Sequence, residues 1–319
     1  MKYTNKFNLP KPIVNALKNN AYDLADAPDN IISVTTLIGS PKIKILEKRH
    51  YDDIIVDVSD LIWQMNGTAM HYVAETSQGN DEMLVEERWF YCIEEDKTYT
   101  VGPKDKFWET KKYNPEYQYV SGKFDVYDCD SKTLWDYKNT SVWSFYPDNR
   151  LKDDYIEQLN INSFALRTLG FEVEQQGIIF NFQKDYKKRD KCKQGYPQSP
   201  LLPVLTETIW DDSKVLSFIK TKLMVLNAAK QFVNDDEIPP CLREDRWAKD
   251  DVWAVMKEGR KSAVKLYDFE PTKEILDSYG KNHYIEYRKG EDTRCLEYCN
   301  VCQWCNYYRD VYAGKENIL

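Results

Sequence analysis

Apolar and polar positions alternate through two short runs, KFDVY and TLWDYK, on either side of the turn-like DCDSK. Period-two alternation in aromatic and β-branched residues predicts the two strands of a hairpin. A turn centred on Asp130 and Ser131 sets Asp125 opposite Asp136. It puts Lys123, Asp125, Asp136 and Lys138 on one face and Phe124, Val126, Trp135 and Tyr137 on the other. Upstream, VSDLIWQMNGTAMHYVAETSQ carries Leu61, Ile62, Met65, Ala69, Tyr72 and Val73 at three- and four-residue spacings and reads as a helix. EMLVEERWFYCIE follows as a strand. Downstream, DDYIEQLNINSFALRTLG predicts an amphipathic helix that stops at Gly170. EVEQQGIIFNFQ is a further strand, YPQSPLLP a proline-rich connection, and DDSKVLSFIKTKLMVLNAAKQF a long helix.

This order predicts an α/β (α+β) fold with a mixed central sheet flanked by helices. Residues 1–50 read as a segment of short helices and turns, with IISVTTLI as an apolar run, and residues 51–235 as the core. After NDDEIPP the composition shifts toward cysteine and tryptophan, so residues 236–319 read as a Cys-rich helical cap packed on that core. With 319 residues, 42% hydrophobic and 14% aromatic, the chain is neither disordered nor fibrous. The formal charge of −8 argues against a surface basic all round and leaves room for a local basic path. The N-terminus has no continuous apolar run, and nothing approaches the roughly 18–20 apolar residues of a membrane span. A cytoplasmic protein without membrane attachment is therefore expected, with its thiols reduced.

Opposed carboxylates destabilise a sheet unless something offsets their charge. A divalent cation does so, because hard cations prefer oxygen ligands. His71 and Glu75 are four apart and share a helix face; Asp136 and Lys138 share a strand face. A histidine, two or three acids and a lysine are what metal-dependent phosphodiester hydrolysis requires: Mg²⁺ or Mn²⁺ to polarise the phosphate, and an ammonium to orient water or offset developing charge.

The ordered set GTAMHYVAE, SGKFDVYD, LWDYKNTS and EQLNINSF resembles the RecB-like branch of the PD-(D/E)xK nucleases, which includes phage and bacterial exonucleases and CRISPR-associated adaptation nucleases. The resemblance implies a restriction-endonuclease-like core. It implies His71, Asp125 and Asp136 as ligands of Mg²⁺ or Mn²⁺, Lys138 as the catalytic lysine, Glu75 in support, and Gln158 holding the active-site helix or the substrate backbone. The activity implied is that of a deoxyribonuclease, an exonuclease, in DNA recombination or repair or phage DNA metabolism. Its partners would be DNA, as single strand or duplex end, and a recombination or replication protein. The chain departs from the pattern at Asp136, where many relatives have glutamate, and at Asn162, where a tyrosine is expected.

Five of the eight cysteines lie between Cys241 and Cys305. Helical spacing would make them small core hydrophobes; four within eleven residues of a reduced chain point instead to metal. Local spacing selects Cys295, Cys299, Cys302 and Cys305. The resemblance selects Cys241, Cys295, Cys299 and Cys305, with Cys302 as an extra. All-thiolate ligation suits a structural 4Fe–4S cluster or, as the alternative, Zn²⁺. Cys92, Cys129 and Cys192 are scattered and read as inert.

KDYKKRDKCK is the most basic short run, so Lys184, Lys187, Lys188 and Arg189 are candidate phosphate contacts against the plainer reading of a solvated hairpin loop. Ser141, just after Lys138, is a candidate substrate-side residue, while Trp143 is assigned to the core. The competing function is a nuclease-like fold that binds DNA or protein and no longer cuts. A zinc protein of unrelated fold is the third. The intact set His71, Asp125, Asp136 and Lys138 favours the enzyme.

Overall fold

The computed structural model describes residues 1–18, 26–76, 83–102, 105–182 and 184–312, without the side chains of Ala74 and Glu75. The chain is α+β and divides into two units, residues 1–41 with 55–228, and residues 42–54 with 229–319. The division differs from the sequence-based one of 1–50, 51–235 and 236–319. The leading segment is not a unit by itself, because helix Pro41–Arg49 contributes its residues from Lys42 onward to the C-terminal unit. Among the described residues, no helix is long and apolar enough to cross a membrane.

The first unit is built on a seven-stranded mixed sheet. Strands Lys97–Thr100, Met83–Cys92, Tyr119–Asp128 and Thr133–Asn139 run antiparallel in that spatial order. Gln175–Asn181 then pairs parallel to Thr133–Asn139, and Leu201–Leu205 closes the edge antiparallel. Leu201–Leu205 begins inside YPQSPLLP, the segment read from sequence as a connection, and runs two residues past it. Pro203 withholds an N–H, which an edge strand tolerates.

The hairpin has the expected register, with Val126 opposite Trp135, Tyr127 opposite Leu134 and Asp128 opposite Thr133. Its ladder stops there. Farther along the same edge, Tyr119–Ser121 pairs instead with Ile31–Ser33. The edge of the central strand is thus shared by two neighbours at opposite ends, and Asp125 lies in the gap between them. Its Oδ2 accepts the Tyr137 N–H at 2.7 Å, replacing a backbone acceptor where the strands part.

Helix Asp153–Thr168 joins the two parallel strands. Asp153 and Asp154 in its first turn and Arg167 in its last complement the helix dipole. Gly170, at φ +94°, supplies the left-handed stop. The helix is not amphipathic as expected: every residue from Leu159 to Leu166 is buried. Its polar members have partners. Asn160 accepts from Trp210 N, Asn162 from Trp89 Nε1, and Ser163 donates to Gln176 Oε1. Asn162, where the resemblance expects a tyrosine, is therefore committed to the core.

The second unit holds a three-stranded antiparallel sheet, Lys265–Tyr267, Val252–Lys257 and His283–Arg288, with short helices. The region read as a helical cap thus carries a sheet beside its short helices, and the central strand of that sheet buries Ala254, Val255 and Met256.

Candidate metal centre and cysteine cavity

The gap in the sheet collects the charged groups. His71 comes from helix Ile62–Thr76, Asp125 from the central strand, and Asp136 and Lys138 from its hairpin partner. Gln158 comes from helix Asp153–Thr168. Glu75 shares the helix of His71, but its side chain lies outside the described residues.

Two groups form. In the first, His71 Nδ1 lies 2.7 Å from Glu86 Oε1 and 3.5 Å from Asp125 Oδ1. One ligand atom from each of the three lies within 4.8 Å of the others, a spacing that one ion can bridge. In the second, Lys138 Nζ lies 2.7 Å from Asp136 Oδ2 and donates to Gln158 Oε1 at 3.0 Å. Gln158 Nε2 donates to Asp136 Oδ1 at 2.8 Å. Asp136, expected to ligate beside His71 and Asp125, is in this arrangement held by lysine and glutamine, while Glu86 takes the place beside His71.

Glu86 was not read from the sequence as a site residue. It stands opposite Asp125 on strand Met83–Cys92 at φ +53°, and the ladder that pairs Val85 with Val126 and Glu87 with Phe124 skips it. A left-handed residue breaks the in–out alternation of a strand, so Glu86 reaches His71. Lys123 Nζ, at 2.7 Å, binds its other oxygen. The available signal was the charged triplet Glu86, Glu87 and Arg88 inside a strand whose other residues are apolar.

The electrostatics follow from burial. Desolvation, followed by the charge of Asp136, pushes the Asp125 carboxyl up to about 7. Burial pulls the His71 imidazole down, but the Glu86 hydrogen bond and the charges of Asp125, Glu86 and Asp136 outweigh it and leave its pKa raised. Burial pushes Glu86 up, yet His71 and Lys123 hold it below its ordinary value. Burial lowers Lys138, and Asp136 and Asp125 more than restore it. Two acids this close with one near neutrality make a centre that accepts positive charge, either protons or a cation.

The other candidates fall around this centre or away from it. Lys184, Lys187, Lys188 and Arg189 are exposed, on the connection between strands Gln175–Asn181 and Leu201–Leu205. Ser141 is engaged by the fold: its hydroxyl donates to Asp185 Oδ2 at 2.6 Å and accepts from Trp143 N. Trp143, expected in the core, is exposed against Tyr146.

In the second unit, Cys241, Cys295, Cys299, Cys302 and Cys305 line one cavity with Lys42, Arg246 and Arg294. Burial, followed by neighbouring thiols, pushes Cys295 and Cys299 up to about 12. No three of the described cysteines bring their sulfurs within 4.8 Å of one another. Lys42 was also missed by the sequence reading. It is 1% exposed, and its Nζ donates to Ile238 O at 2.7 Å and Asn306 Oδ1 at 2.8 Å. Ile238 precedes Cys241 by three residues and Asn306 follows Cys305, so one ammonium ties both cysteine segments together. Helix Pro41–Arg49 is anchored at its other end, where Arg49 and His50 bind Asp235 and His50 stacks on Trp304 at 4.2 Å.

Replacing Glu86 with glutamine keeps the shape and removes the charge. Mn²⁺ affinity is expected to fall about 10–100-fold, measured by calorimetric titration at pH 7.5. Unchanged affinity would exclude Glu86 from the centre.

No family model and no curated protein matches the chain. Among solved structures, the crystal structure of SSO0001 aligns over 67% of this chain and 84% of that one, with 12% identity and a TM-score of 0.41.

Proposed function

We propose that this protein is a Mg²⁺- or Mn²⁺-dependent deoxyribonuclease acting on DNA ends. The observation that carries the reading is the convergence of His71, Glu86 and Asp125 beside the ion-paired Asp136 and Lys138. The donor set fits a hard divalent cation: two carboxylates and an imidazole, with Asp136 adjacent and its Oδ2 lacking a well-aligned hydrogen bond. Such an ion supplies the Lewis acidity that phosphodiester hydrolysis needs at neutral pH. The chain's own groups do the rest. His71, Glu86 and Asp125 hold the ion, and the Tyr137 N–H fixes the Asp125 rotamer. Gln158 aligns Asp136 with Lys138, and the Lys138 ammonium is available to the non-bridging phosphate oxygens. The exonuclease assignment, a place in recombination, repair or phage DNA metabolism, and a partner protein there rest on the motif resemblance.

The test is incubation of end-labelled linear and circular DNA with Mn²⁺ and with EDTA. Cutting of linear DNA in Mn²⁺ alone is expected. Binding without cutting in either condition would transfer the case to a non-catalytic binding module.

For the cysteine cavity we propose a 4Fe–4S cluster on Cys241, Cys295, Cys299 and Cys305, with Cys302 as the spare thiol. Five thiols lining one cavity can supply all-thiolate ligation, and the cluster rather than zinc, with this choice of four ligands, rests on the motif resemblance. Protein purified without oxygen is expected to be brown, with absorbance near 400 nm; a colourless protein with one zinc per chain would reverse the choice.

A further inference from the structure

We propose that Trp63 is a stacking subsite for an unpaired nucleotide of the DNA strand bound at the metal centre, so that the substrate is an unpaired strand. The inference rests on the nuclease reading and goes beyond it, since nothing in the motif set concerns Trp63.

Trp63, Gly67, Met70 and His71 follow one another at four, three and one residues on helix Ile62–Thr76, so they lie on one side of it. Trp63 and His71 are two turns apart, roughly 12 Å along the axis at about 1.5 Å per residue. Met70 fixes what this side looks toward. Its Sδ lies 3.1 Å from Asn181 Nδ2, at the end of the strand paired with Thr133–Asn139. The stripe thus runs beside the strand ends that follow Lys138.

At its far end Trp63 is 55% exposed. The Lys184 ammonium sits 4.1 Å from the ring centroid and comes from the basic connection. A cation over an aromatic ring, followed along the chain by the exposed Lys187, Lys188 and Arg189, matches a phosphate followed by a base. Between the two ends, a Cβ on Gly67 would meet no atom within 4 Å, so the glycine leaves a notch that packing does not require. A strand with a phosphate at His71 and Asp125 could pass that notch and lay a base on Trp63. A base can do so only when it is out of its duplex stack.

The test is steady-state cutting of an unpaired oligonucleotide and of a blunt duplex in Mn²⁺. Trp63→Ala is expected to raise KM for the unpaired strand about tenfold, with the loss in KM rather than kcat, and Trp63→Phe to restore most of it. Gly67→Leu improves helix propensity and fills the notch, so it should melt higher and yet show a raised KM. A single abasic position walked along the oligonucleotide should reproduce the Trp63→Ala loss at one place in the parent and cost nothing more in the variant. Equal KM values for parent, Trp63→Ala and Gly67→Leu, or a blunt duplex that shows the same losses, would overturn the subsite. A parent that cuts neither substrate in Mn²⁺ would overturn the nuclease reading itself, a separate result.

Discussion

Replacing Asp125 with asparagine abolishes Mn²⁺-dependent DNA cutting, by on the order of 10³-fold or more, while raising the melting temperature of the metal-free protein at pH 8. The two effects have one cause. Asp125 is buried beside Asp136, and its folded-state carboxyl titrates near 7, well above the unfolded value of about 3.9. An acid whose pKa is raised by folding contributes stability that is complete below the unfolded pKa. That contribution declines as pH rises and is lost as pH passes through 7. Asparagine keeps an acceptor for the Tyr137 N–H and carries no charge, so the variant escapes this loss. A cation opposes it too, by neutralising the carboxylates. Mn²⁺ affinity of the parent should therefore rise with pH below about 7, as Asp125 gives up its proton, and level off above it. Melting curves at pH 5 and pH 8, with and without Mn²⁺, measure both. A variant that is destabilised equally at both values would mean that Asp125 serves the fold and not the ion.

The second large effect belongs to the other unit. Lys42→Met keeps the aliphatic stem and removes the ammonium. It leaves Ile238 O without this donor in a buried site and Asn306 Oδ1 with the Tyr307 N–H alone, and an unmet buried acceptor costs about 1–3 kcal/mol. Because those two groups flank Cys241 and Cys305, the expected loss is larger in cofactor content than in overall stability. Iron and sulfide per chain should drop severalfold, and the thiols should react faster with an aromatic disulfide. Lys42→Arg, still a cation and donor, should recover part of both. Parental iron content and thiol reactivity in Lys42→Met would show that the cysteine segments need no such tie.

How much of this was legible in the sequence depends on the range of each interaction. The hairpin register was readable because alternation and a turn at Asp130 and Ser131 fix it locally, and the structure has that register. The pairing of Asp136 with Lys138 needed only two residues of one strand. Gln158 came from the motif rather than from periodicity. Glu86 was hidden because its place depends on a left-handed backbone at a non-glycine residue, which no local pattern announces. The helix of Gln158 was misread as amphipathic because Asn160, Asn162 and Ser163 are buried by partners distant in sequence. Lys42 was invisible for the same reason: its acceptors lie 196 and 264 residues away.

The most direct test of the metal centre is the electron paramagnetic resonance of Mn²⁺ titrated into the chelator-treated parent and into Asp125→Asn at pH 7.5. Convergence of His71, Glu86 and Asp125 on one cation requires one tight site per chain in the parent and its loss in the variant. Equal Mn²⁺ binding by the two proteins, or none by the parent, would contradict it.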